Sequence, residues 1–241
     1  MKNLVLPFLL LSFVSVCCIQ KAKDLDLNNK YFLIGTLRDY MGREKYPEVE
    51  NRVDRYYQHE KKLCLSIDSM FIELYSDLKF SSEKHTTTKK DKFELHSESL
   101  AREIEAFYDF QPSGRGAYSG EVDISEVNLD SLTSTKDFFI TQFDTIYTGR
   151  LKLDVFKTER QKISFITGAY VRFGGRNDST YYIRVFNSVS KVKVLDKLLQ
   201  EVGCTNVEYR MKKGYIPVSH TVYFIPTDKL RSYFKRYVSL K

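Results

Sequence analysis

Tryptophan is absent from this 241-residue chain, and cysteine (4), proline (5) and glycine (11) are scarce. So little glycine and proline excludes collagen-like and low-complexity sequence. Four cysteines in a chain this long exclude a disulfide-built miniature scaffold. Aromatic packing falls to 17 tyrosines and 17 phenylalanines, and an apolar content of 42% is enough for a real core. Long hydrophobic runs are also missing, with one exception. Leu4 to Ile19 is a 16-residue uncharged segment. It is short for a bilayer core of roughly 30 Å, which takes about 20 helical residues, and Pro7 interrupts it early. Lys2 precedes it, and Lys21, Lys23, Asp24 and Asp26 end it sharply. This pattern predicts a signal peptide over residues 1–20 and an exported protein, periplasmic or anchored at the cell envelope.

The run VSVC, Val14 to Cys17, resembles the lipobox of bacterial lipoproteins. The resemblance implies lipidation at Cys17 or Cys18 and a membrane-held chain. Of the remaining cysteines, Cys64 and Cys204 either pair in an oxidising compartment or stay as buried thiols.

The net charge of +7 conceals a split. Residues 21–149 carry 18 Lys/Arg against 24 Asp/Glu, whereas residues 150–241 carry 19 against 7, a net of +12. The two halves also differ in patterning. In the first, residues 28–42 have helical spacing, as does the stretch from Pro47 to about residue 79, with Val49, Val53, Tyr56, Leu63, Ile67, Met70 and Leu74 on one stripe. Residues 81–92 are a polar linker. HSESLAREIEAFYDF predicts a helix capped by Ser97. Residues 111–120, dense in Pro, Gly and Ser, predict a boundary, with a short helix to follow in 130–147. The expectation is an acidic helical region over 21–110, a small bundle, then a linker with a short helix over 111–149.

The basic half, 150–241, is rich in β-branched and aromatic residues. LKLDVF, KISFITGAYVRF and TYYIRVF are strand-like, with GGRNDS as a hairpin turn. SKVKVLDKLLQEVG is a helix stopped by Gly203, NVEYRM and TVYFIP are strands, and a last helix starts at Thr227. The fold class expected is α+β: a helical N-terminal region followed by a β-β-α-β-β-α antiparallel sheet with two helices on one face. That order is similar to the core of LAGLIDADG-type nucleic-acid domains, and FITGAYVRFGG resembles their signature. The resemblance implies a metal-binding acidic residue near Val171 to Gly174, where this chain has none.

No catalytic motif is present. HEKKL at 59–63 lacks the second histidine of a zinc helix, and GRGAYSG lacks both the P-loop lysine and the serine of a nucleophile elbow. His85, His96 and His220 have no metal-ligand spacing with cysteine. Neither cofactor nor metal is expected. The excess of +12 over residues 150–241 is the main functional signal. With export, it points to a non-enzymatic module that binds an anionic envelope component or a protein partner through its basic face, and it disfavours nucleic acid. The alternative is an envelope hydrolase with a pocket near Tyr215 and His220. The ligand-binding residues expected are Arg172, Arg176, Arg184, Tyr215 and His220.

Overall fold

The computed structural model describes residues 26–39, 42–45, 52–84, 91–117, 143–212, 214 and 217–241. The expected leader with Cys17 and Cys18, residues 130–142 of the short helix expected in 130–147, and Tyr215 lie outside the described residues; 143–147 are strand, not helix.

Helix α1 (Asn29–Thr36) starts where the Asn28 side chain accepts from the Tyr31 amide. It is followed by β1 (Arg43–Lys45), β2 (Arg52–Tyr57), a 3-10 turn (Gln58–Glu60), α2 (Lys61–Phe71), β3 (Lys79–Lys84), β4 (Asp91–His96) and α3 (Glu98–Glu105). A long hairpin, β5 (Tyr108–Ala117) and β6 (Phe143–Leu151), comes next. Then α4 (Glu159–Phe173), β7 (Gly174–Asn177), β8 (Thr180–Phe186), α5 (Val189–Glu201), β9 (Thr205–Lys212), β10 (Ser219–Ile225) and α6 (Asp228–Tyr237) complete the chain.

The succession α-β-β-α-β-β-α therefore occurs twice, from α1 to α3 and from α4 to α6. Sheet order agrees: β2-β4-β3 in the first unit corresponds to β8-β10-β9 in the second. All pairs are antiparallel. The units differ at their first strand. β7 stays on β8, whereas β1 leaves its sheet to pair with β6, giving β1-β6-β5.

The α+β class holds, and a four-stranded antiparallel sheet is present in the basic half as β7-β8-β10-β9, with Gly174–Asn177 as its first strand and not LKLDVF, of which only Leu151 is in a strand. The helical bundle expected for the first half is corrected: strands occupy 43–45, 52–57, 79–84 and 91–96, so the supposed linker at 81–92 is partly strand. Of the boundary expected at 111–120, residues 111–117 belong to β5, an edge strand whose register shifts between Pro112 and Gly114, and 118–120 lie outside the described residues. Edges and bulges are where a sheet tolerates proline.

KISFITGAYVRF is likewise corrected from strand to helix, α4. Thr158 starts it with a capping box: its hydroxyl accepts from the Gln161 amide at 3.2 Å, and the Gln161 side chain accepts from the Thr158 amide at 2.9 Å. Residues 163–172 are buried without a break. A helix wrapped on all sides needs apolar residues all round. The β-branched run that looked like strand propensity is therefore core demand.

α1 and α4 cross at the centre of the molecule. A Cβ on Gly35 would stand 2.1 Å from the Phe165 carbonyl oxygen, and one on Gly168 would stand 2.1 Å from that of Phe32. The contact is reciprocal, glycine of each helix against backbone of the other. Around it, Tyr170 stacks on Phe234 with centroids 3.9 Å apart, and Tyr181 and Phe224 close the same cluster.

Candidate functional site

Because side chains alternate across a strand, each sheet turns one face to the helices and leaves the other open. On β8, Tyr181, Ile183 and Val185 face the core; Arg184 and Phe186 are exposed and Tyr182 is half-buried. Register then aligns the open face into rows. Tyr182 pairs with Tyr223 and Glu208, Arg184 with Thr221 and Arg210, and Phe186 with Ser219 and Lys212. Each arginine leans on a ring of the first row: Arg184 lies 5.4 Å from the Tyr182 centroid and Arg210 5.1 Å from that of Tyr223. Arg184 also donates to the Thr221 hydroxyl at 3.4 Å. Arg210 is forked onto Glu208, with both bonds at 2.8 Å. The result is an open, cationic and aromatic surface.

The matching face of β2-β4-β3 differs. Arg55 is paired with Glu94, which also lies 3.2 Å from His96 Nε2. The hydrogen bond from His96, with Arg55 adding to it against burial, holds the Glu94 carboxyl down at about 2.

Between the units, at the ends of the central helices, lies a buried polar cluster. Arg172 stands four residues after Gly168, as Asp39 stands four after Gly35. The Arg172 guanidinium is fully buried. It donates to Glu60 at 2.9 and 3.1 Å, to Asp54 at 2.5 Å, and to the carbonyls of Thr36 and Arg55, each at 2.7 Å. Tyr56 covers its face at 4.4 Å. Burial opposes its charge, but Asp54 and Glu60 outweigh burial and raise its pKa. They are themselves lowered because Arg172 overcomes their own desolvation. Lys191, on α5, is equally buried. Its ammonium caps the last carbonyls of α1, Leu37 and Gly35, and stands 3.2 Å from Asp39. Burial pulls its pKa down against the pull of Asp39. The Tyr108 hydroxyl donates to the same Asp39 oxygen at 2.9 Å.

The expected ligand residues thus scatter. Arg184 is on the open sheet face. Arg172 is corrected from surface ligand to internal ion pair, with every N–H direction used. Arg176 is exposed on β7, at the edge of the sheet and opposite Tyr181 in register, so it belongs to the helix-facing parity. His220 is buried on that same side, its Nδ1 2.7 Å from the Tyr209 hydroxyl, and burial lowers its pKa. His220 also lines a cavity, together with Met211, Asn187, Ser190 and Lys193. Cys64 and Cys204 are both free and buried, with no bridge between them. Burial first, then the nearby carboxylates, pushes the Cys64 thiol up to about 12. Composition pointed to the basic half; Arg210, Tyr182 and Tyr223 were overlooked because only register assembles them.

Two α-β-β-α-β-β-α units crossing on paired glycine-bearing helices define a pseudo-two-fold α+β architecture with open antiparallel sheets. Solved structures with this fold include a single-substitution variant of I-DmoI in complex with its target DNA in the presence of manganese. It is 13% identical, covers 88% of this chain and 97% of that one, and has a TM-score of 0.51. Mesophilic variants of the homing endonuclease I-DmoI match at 12% identity, with the same coverage and a TM-score of 0.50. The sequence matches no protein-family profile and no curated protein.

At this identity the likeness is one of fold. It runs against the expectation of an exported envelope binder, and of an envelope hydrolase as its alternative, because the neighbours that share the fold are forms of a homing endonuclease, one of them in complex with its target DNA. The exclusion of nucleic acid falls with it. The metal in the name of the first neighbour was tested against this chain. Asp39, Asp54 and Glu60, the carboxylates at the ends of the central helices, are each engaged by Arg172 or Lys191. Among the described residues, no three His, Cys, Asp or Glu gather as a ligand set. The residues do not fit a divalent ion there.

Proposed function

We propose that this chain binds nucleic acid, duplex DNA in the first instance, across the open face of β8-β10-β9, and that it binds without cutting. The single observation that carries this reading is the row Arg184–Thr221–Arg210, flanked by Tyr182 and Tyr223 above and Lys212 below. Guanidinium groups at strand spacing meet phosphates, and the aromatic rings offer flat apolar surface to sugars and bases. The excess of +12 over residues 150–241 supplies the long-range attraction. The fold likeness to a DNA-bound endonuclease supports the same reading. Binding without cleavage is supported by the buried cations Arg172 and Lys191, which already neutralise the carboxylates between the units.

Fluorescence anisotropy with a labelled duplex across a salt series tests it. Affinity is expected to fall steeply with salt, with Arg184→Gln lowering the log–log slope by about 1 and Arg210→Gln, whose guanidinium is forked onto Glu208, lowering it by less. No binding at low salt overturns the proposal. Nicking of the duplex after addition of magnesium or manganese overturns the claim that the chain does not cut.

A further inference from the structure

The sheet of the second unit has two edges, and they differ. β7 ends it on one side with four residues, and so short an edge is a poor template for another chain. β9 ends it on the other side with eight. Seven of those eight are exposed, and Val207 is half-buried. Glu208 and Arg210 stand on the open face, in register with Tyr223 and Thr221. Tyr209 and Met211, on the helix-facing side, are 44% and 43% exposed, so the helix layer leaves the strand largely uncovered. Among the described residues β10 is the one strand paired with β9, and the outer row of β9 N–H and C=O groups faces away from the sheet. A long edge that carries exposed apolar side chains is a template for a further strand.

The side chains of β9 narrow what that strand can be. When a second copy pairs antiparallel about a two-fold axis perpendicular to the sheet, opposed residues lie on the same face, so the axis passes beside a residue and never between two. A bulge at the start of β9, where Asn206 has a φ of +51° and the register shifts, ends the regular edge. That leaves Glu208, Tyr209, Arg210 and Met211 as centres. Centring on Glu208 sets glutamate against glutamate. Centring on Arg210 sets arginine against arginine, and centring on Met211 sets Arg210 against Lys212. Like charges directly opposite each other are destabilising. Tyr209 is the centre that avoids them.

We propose that this chain self-associates as a two-fold dimer through β9, centred on Tyr209. Glu208 then faces Arg210 of the second copy, and Arg210 faces its Glu208. Within one chain the Arg210 guanidinium is already forked onto Glu208, both bonds at 2.8 Å. The two copies therefore build a square of alternating charge on the open face. On the other face Val207 meets Met211 of the second copy, Tyr209 meets its own counterpart, and Met211 meets Val207. The joined sheet runs continuously from β7 of one copy to β7 of the other and keeps both open faces on one side. The dimer does not depend on the nucleic-acid reading.

Sedimentation equilibrium of the full chain without nucleic acid tests it, over a concentration series up to about 100 μM. A species of twice the chain mass is expected. Glu208→Arg and Arg210→Glu each turn two attractive pairs into two repulsive ones, and each is expected to weaken dimerisation at least about tenfold. Both side chains are exposed, so the melting temperature of the monomer is expected to hold. The double variant restores opposite charge at both places and is expected to dimerise like the unsubstituted chain. Monomer throughout the series, dimerisation indifferent to either single reversal, or a double variant that stays monomeric overturns the proposal. Each of those outcomes leaves the nucleic-acid reading to the duplex titration.

Discussion

The two units share one plan and distribute charge differently. The open face of the first sheet cancels its own cations: Arg55 is bound to Glu94, which also takes His96. The second forks Arg210 onto Glu208 but holds Arg184 exposed over Tyr182 and against the Thr221 hydroxyl. The same contrast recurs at the central crossing, where the first unit brings Asp39 and the second Arg172 to the fourth position after their glycines. A duplicated fold conserves what the crossing demands, which is a side chain small enough for backbone to touch backbone. It leaves free what the faces do. One unit has become the counter-charge of the other, and the other presents the cationic surface.

The harshest way to break this contrast is to remove the cation that joins the units. Arg172→Met leaves Asp54 and Glu60 buried without their partner. A loss of about 3–5 kcal/mol is expected in urea unfolding, because an uncompensated buried charge costs far more than an exposed pair contributes. Arg38, partly exposed and 3.6 Å from Glu60, is the control, and Arg38→Met is expected to cost less than about 1 kcal/mol. Next come the glycines. Gly35→Ala and Gly168→Ala each press a methyl group into the backbone of the other helix. Each is expected to lower stability by about 1–3 kcal/mol, and by similar amounts, since the contact is reciprocal. Clearly unequal losses would show that the two-fold relation is not energetic.

A smaller effect separates the sheets by pH. Glu94 has its folded pKa depressed to about 2, below its unfolded value of about 4.3. Its contribution is therefore complete above the unfolded value and lost as pH falls towards 2. Amide exchange in β2 and β4 is expected to accelerate over that window, and Glu94→Gln is expected to flatten the response, with β8 and β10 changing less. The finest comparison is on salt dependence. Arg55→Gln, on the neutralised face, is expected to leave the slope of duplex binding unchanged, while Arg184→Gln lowers it by about 1. Equal effects of the two would place the bound nucleic acid across both sheets.

Much of the second unit could be anticipated because its signals are local. Thr227 caps α6 through the Leu230 amide, Gly203 leaves α5 at a φ of +83°, and the GGRNDS turn places Asp178 at a φ of +53° between β7 and β8. Ser97 does for α3 what Thr227 does for α6. Errors arose where long-range contact overrode pattern. β2 lost its alternation at the register shift between Arg52 and Asp54, so Val53 and Asp54 are both buried and the strand passed for helix. β5 looked like a boundary because Pro112 and Gly114 flank a bulge. α4 looked like strand because every side of it is buried. The duplication itself was invisible, since an α1 of eight residues and an α4 of fifteen have little in common beyond their crossing glycines.

Sequence alone determined the α+β class, the Thr227 cap, the Gly203 stop and the GGRNDS turn of the second unit, and the basic surplus of residues 150–241, because each follows from composition or from residues within a few positions of one another. Tertiary structure alone decided that Arg172 is an internal counter-ion rather than a surface ligand, that Arg184 and Arg210 stand in one row, and that β9 is left at the edge of its sheet. These facts depend on strand register, set between strands tens of residues apart, and on where two helices cross, set by burial and hydrogen bonding between segments more than a hundred residues apart.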